Sequence, residues 1–212
     1  GVGYCLLNWK KKHGIYSLVL LWLFIPLVRY ASPKSGAIDG VRHFLEIVYP
    51  VCVLGSIGFN HLFPKNNIWK RSLLFVVLLY LIFINVKFHP YETSYFNALI
   101  GGIRGAQGKF DIDFWGTPQK EAVKYVNTIA PPNSFVHIVM AQSSAAMYLR
   151  DDLRKNANIK DIWNSDYVIL LNRESFFSVY DVRGYMKEKY AQNKVVFTRE
   201  IDAVPLVWIF RK

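Results

Sequence analysis

HPYETSYFNALIGGIRGAQGKFDIDFWG, residues His89 to Gly116, separates two kinds of sequence. Before it, the chain is a series of apolar runs punctuated by basic residues. After it, the chain reads as an α/β domain. The stretch itself is rich in aromatics (Tyr91, Tyr95, Phe96, Phe110, Phe114, Trp115), the side chains that suit a membrane–water interface. Its glycines, Gly101, Gly102, Gly105 and Gly108, permit sharp turns and close backbone approach. The expected fold is therefore a membrane α-helical bundle fragment over residues 1–88, followed by a small extracytoplasmic α/β domain over residues 89–212.

Charge supports that division. The chain is 52% hydrophobic and carries a net charge of +11. Residues 1–88 hold ten Lys/Arg against Asp39 and Glu46, a net of +8, whereas residues 89–212 hold sixteen against thirteen acids, a net of +3. Bases that bracket apolar runs are the pattern of a membrane protein and exclude a nucleic-acid patch. The two cysteines, Cys5 and Cys52, lie in apolar stretches, so no disulfide can close the tail. The absence of an Asn-X-Ser/Thr sequon favours a prokaryotic source. The opening GVGYCLLNW reads as the end of an apolar segment already under way, as expected of a C-terminal fragment.

Three membrane spans are expected, at about residues 15–30, 44–63 and 70–88, against a requirement of about 20 apolar residues each. The first and third runs are short, and flanking Trp, Lys and Arg extend them by snorkelling. Lys10, Lys11, Lys12, Lys65, Lys70 and Arg71 fall on one side with no acid among them. Arg29, Lys34 and Arg42 fall on the other with Asp39. The positive-inside rule places the first side in the cytoplasm and the tail outside it.

The tail alternates helix and strand signals. A helix with Thr117 as N-cap and Pro118 in its first turn runs through EAVKYVNTIA and ends before Pro131-Pro132. Ser134–Met140 has strand composition, AQSSAAMYLRDDL reads as one helix, and DYVILL (Asp166–Leu171) suits a buried central strand. Tyr180–Gln192 reads as a helix, and Lys194–Thr198 with Pro205–Phe210 as a closing pair of strands. A small sheet carrying helices is the expected result.

Several residues invite chemical roles. Arg29, Lys34, Arg42 and His43 would gather at the outer face, where a lipid-linked phosphate sits; Arg binds phosphate with a planar fork of donors and Lys as a point charge. The alternative is that they anchor helix ends at lipid headgroups. Glu46, one turn into the second span, lies four residues after Arg42 and is positioned to pair with it. GGIRGAQGK is not a phosphate loop, because Ile103 stands where the Walker pattern needs glycine and no Ser or Thr follows Lys109. Asp111 and Asp113 would share a face in a strand, but a loop cap is the simpler role for them. No metal-ligand spacing is present.

YASPKSGAIDGVRHFLEIVYP followed by HPYETSYFNALIGGIRGAQGKFDIDFWGTPQKEAVKYVN resembles the C-terminal third of polytopic GT-C glycosyltransferases of the family 39, protein-mannosyltransferase-like and aminoarabinose-transferase-like kinds. The resemblance covers about Tyr30 to Ala130. It implies transfer of a sugar from a polyprenyl-phosphate carrier to a lipid, glycan or protein acceptor outside the cytoplasm, by a multi-pass protein of a prokaryotic cytoplasmic membrane. It implies an acidic base in an outer loop upstream of this sequence, so no catalytic residue is assigned here, and a divalent metal in some full-length members. It implies carrier-phosphate contact by Arg42, His43 and Lys34, and a domain-junction role for His89, Tyr91, Glu92, Tyr95 and Asn97. The rival expectation is a non-catalytic membrane-anchored protein whose outer domain binds a partner or glycan.

Overall fold

The computed structural model describes residues 1–11, 13–32, 45–63, 68–178 and 181–212, in two compact units, Gly1–Ile82 and Phe83–Lys212.

The first unit is helical. A short helix α1 (Val2–Leu7) precedes three long ones, α2 (His13–Ala31), α3 (Leu45–Leu62) and α4 (Ile68–Phe88), the last of which runs on into the second unit. The core of the unit is Cys5, Tyr16, Val19, Leu20, Leu23 and Leu54, contributed by α1, α2 and α3. α2, α3 and α4 have apolar stretches of 18, 18 and 21 residues, long and apolar enough to cross a membrane. At a rise of about 1.5 Å per residue they measure about 27–32 Å, close to the hydrocarbon thickness of a bilayer. On α4 every side chain from Leu73 to Phe83 is apolar or aromatic and exposed, on all faces of the helix. A helix apolar all round is not the amphipathic surface helix of a soluble protein.

The second unit is an α/β domain. After the last turns of α4 come two 3-10 turns, Glu92–Ser94 and Ala98–Ile100, and the short helix α5 (Gly102–Ala106). Then follow α6 (Gln119–Ile129), β1 (Val136–Val139), α7 (Gln142–Ala146), α8 (Asp151–Lys155), β2 (Tyr167–Leu171), α9 (Val182–Ala191), β3 (Val195–Ile201) and β4 (Val204–Arg211). The sheet order is β1-β2-β4-β3. β1 and β2 are parallel, with Ile138 opposite Ile169; β4 runs antiparallel to both neighbours, with Ile169 opposite Ile209. β4 thus inserts between the parallel pair and its own hairpin partner.

Both faces of the sheet are covered. Tyr167, Ile169, Val207 and Ile209 pack with Ala122, Val123 and Val126 of α6 and Leu153 of α8. Val168, Leu170, Trp208 and Phe210, the alternate residues of the same strands, pack with Val182 and Tyr185 of α9. This explains why DYVILL is continuously apolar: a central strand buried on both faces loses the polar alternation. A third cluster joins Phe88 to Tyr91, Ile103, Ala106, Ile112, Val204 and Leu206. It ties the last turn of α4 to the His89–Gly116 stretch and the β3–β4 hairpin.

Two local expectations differ from the structure. AQSSAAMYLRDDL is split into α7 and α8, because the Arg150 side chain between them turns back to bond the end of α6. Thr117 does not cap α6, which starts at Gln119 with Pro118 at the N-cap; the Thr117 hydroxyl instead meets that of Thr93 at 3.2 Å.

Candidate functional site

In an open α/β sheet, ligands bind beyond the carboxyl ends of parallel strands. Here those ends are Val139 and Leu171, and the His89–Gly116 stretch covers them. Gln119, 1% exposed, donates through Nε2 to the carbonyls of Val139 (3.1 Å) and Met140 (2.8 Å). Asn172, also 1% exposed, donates to Pro205 O at 2.6 Å and accepts from Asp113 N through its own carbonyl. The amide oxygens of Gln119 and Asn172 find no donor among the described residues. Both oxygens are sealed from solvent. Gly116 closes the site from above: its φ of +73° suits glycine, and a Cβ there would lie 2.7 Å from the Gln119 Oε1.

Asp111 and Asp113 go separate ways. Asp113 is buried, and its Oδ1 accepts from the backbone N–H groups of Trp115 and Gly116, each at 2.7 Å. Its other oxygen faces the hydroxyls of Thr93 and Ser94, each at 3.4 Å. Asp111 accepts from Ser175 Oγ (2.6 Å), from Ser175 N (2.9 Å) and from Arg173 Nε (3.3 Å). The Arg173 guanidinium lies between the rings of Phe114 and Phe176, 4.3 and 4.5 Å from their centres. Both carboxylates therefore fix loops, and the loop-cap role fits Asp113 directly. Trp115, in the loop that Asp113 caps, is 54% exposed.

The five junction residues all have defined positions within the second unit. Tyr91 is buried, and its hydroxyl donates to Glu121 Oε2 at the start of α6. Arg199 of β3 stacks on the Tyr91 ring at 5.2 Å and lies 3.4 Å from the same carboxylate oxygen. Burial, and then the bond to Glu121, push the Tyr91 hydroxyl up to about 12. Tyr95 meets Phe88 edge-on at 5.4 Å, and Asn97 caps its 3-10 turn by accepting from Leu99 N at 3.0 Å. His89 and Glu92 pair at 2.8 Å on the surface; a bond to its own backbone and then His89 hold the Glu92 carboxyl below its ordinary value. Glu121, Arg173, Ser175 and Arg199 were not singled out from sequence, because no local pattern marks residues whose partners are so distant in the chain.

Arg42, His43 and Lys34 lie outside the described residues. Glu46 forms an ion pair with Arg29, seventeen positions earlier; Arg42, its expected partner, is among the residues not described. His137, in β1, donates from Nδ1 to Lys160 O at 2.7 Å, a structural bond. Among the described residues no three His, Cys, Asp or Glu side chains converge so as to hold a metal. A groove of about 540 Å³ lies at the opposite end of the strands, lined by Pro131, Phe135, Asp166 and Arg211 among others. Asp166 is already bonded to Phe135 N there at 2.8 Å. Comparison with protein-family models, with curated proteins and with solved structures brings no match for this chain.

Proposed function

We propose that this chain is part of an integral-membrane glycosyltransferase of the GT-C kind, which transfers a sugar from a polyprenyl-phosphate carrier to an extracytoplasmic acceptor. In this reading α2, α3 and α4 are membrane spans and the α/β unit stands outside the cytoplasm. The observation that carries it is the order of parts: three helices of spanning length lead into an α/β domain through the HPYE…DFWG stretch. In the second unit that stretch is a built element, since Tyr91, Ile103, Ala106 and Ile112 form a core with Phe88. Arg42, with His43 and Lys34, stabilises the charge that develops on the leaving polyprenyl phosphate. Asp111 and Asp113 are spent on loop structure, so the α/β unit positions substrate and supplies no acid–base step through them.

The test is transfer of labelled sugar from polyprenyl-phosphate sugars in membranes carrying the full-length protein. Arg42→Ala should lower turnover strongly, and Arg42→Lys should restore only part, because lysine lacks the planar fork. Unchanged turnover in Arg42→Ala would sink the phosphate role, and no transfer by well-expressed wild type would sink the enzyme reading.

A further inference from the structure

We infer that the turn Asn97–Gly101 of the α/β unit lies on the bilayer surface, with Leu99 and Phe110 inserted at headgroup level; this rests on the reading of α4 as a membrane span. Leu99 is 96% exposed and Phe110 50% exposed. Leaving a leucine side chain in water forgoes about 1.5–3 kcal/mol of burial. Yet Leu99 is displayed by a rigid turn. Asn97 caps it, Gly101 N bonds back to Ala98 O at 3.1 Å, and Gly101 has a φ of +85°. Beneath it Gly105 approaches so closely that a Cβ would lie 1.7 Å from Ile100 O.

The occupant follows from continuity with α4. Ile84, Phe96 and Ile100 pack on the same cluster as Phe88, so the tip sits at the end of the unit where α4 leaves its core. Phe96 in turn contacts Phe110, with ring centres 6.0 Å apart. Lys87 and Arg104 converge on Asp202, at 2.6 Å from its carboxylate and 2.6 Å from its carbonyl. Lys, Arg and aromatic rings beside an apolar tip, at the end of the unit that the last turns of a candidate membrane span enter, are the composition of a membrane interface. A lipid surface is therefore the partner.

The test places an environment-sensitive fluorophore at single cysteines of the full chain in vesicles of phosphatidylcholine and phosphatidylglycerol. The background is Cys5→Ala with Cys52→Ala, and the labelled sites are Leu99→Cys, Phe110→Cys, Leu78→Cys in α4 and Lys155→Cys in α8. The expected result is quenching of the Leu99 and Phe110 labels by shallow lipid-borne quenchers, with loss of the aqueous iodide quenching seen at Lys155. Iodide quenching at Leu99 equal to that at Lys155 would overturn the inference. So would a Leu99 label reached by neither quencher, since that means a protein covers the tip. Lipid quenching at Leu78 without it at Leu99 rejects this inference alone; its absence at Leu78 rejects the membrane reading itself.

Discussion

The hydroxyl of Tyr91 donates to the carboxylate of Glu121, thirty positions later, and Arg199 from a third element stacks on the same ring. One buried phenol thus joins the chain leaving α4 to α6 and to β3. The bond exists only with the phenol protonated, which fixes the sign of its pH dependence. Burial and the bond to Glu121 push the Tyr91 hydroxyl from its ordinary 10.0 up to about 12 in the folded protein. Its contribution to stability is complete below pH 10 and is lost as pH rises toward 12. Tyr91→Phe should lower stability by about 1 kcal/mol at neutral pH. Unfolding of wild type and variant in detergent at pH 8 and pH 11 checks this: the gap between them should narrow at the higher pH.

Asp113 holds two part-buried backbone N–H groups, those of Trp115 and Gly116. Asp113→Ala leaves both without an acceptor and should destabilise the α/β unit by about 2 kcal/mol. Trp115 should become mobile as its loop loosens. Chemical denaturation together with Trp115 fluorescence, against a Trp115→Phe reference, reads both effects. An unchanged midpoint would show that the loop is held by other contacts.

Arg150 binds the carbonyls of Asn127 (2.6 Å) and Ala130 (2.9 Å) at the end of α6, and the carboxylate of Asp152 at 3.0 Å. Asp152 is held down to about 2 by Arg150 and by Asn133 N, from its ordinary 3.8. A lowered carboxyl pKa stabilises the fold above the unfolded value and ceases to do so as pH falls through the folded one. Asp152→Asn should therefore lower Tm at pH 7 and flatten the acid dependence of Tm between about pH 4 and pH 2. A variant that retains the wild-type slope in that window would show that other carboxylates set it.

α4 offers the sharpest test of membrane residence. Leu78 is apolar and exposed near the middle of the helix. Leu78→Arg should disfavour insertion by about 2.5–3.5 kcal/mol. Wild-type protein should stay in the membrane pellet after carbonate extraction, and the variant should show a reduced inserted fraction. Wild-type protein released by carbonate would mean that the three helices are buried in a soluble assembly.

The sequence by itself determined the parts. Three helices of spanning length were legible because an apolar run of that length needs no partner to be recognised. DYVILL was legible as a central strand because burial on both faces removes alternation within a single segment. The closing hairpin was legible for the same local reason, from two runs of strand-forming residues around Asp202-Ala203. Tertiary structure alone decided which residues meet. Glu46 meets Arg29 seventeen positions away; Asp111 reaches Arg173 across 62 positions while Asp113 turns to cap its own loop. β4 enters between β2 and β3, which gives both sheet faces a helix layer. Periodicity reports only which side of one element is apolar. Ion pairs, caps and strand order depend on distances that exist only after remote segments have packed.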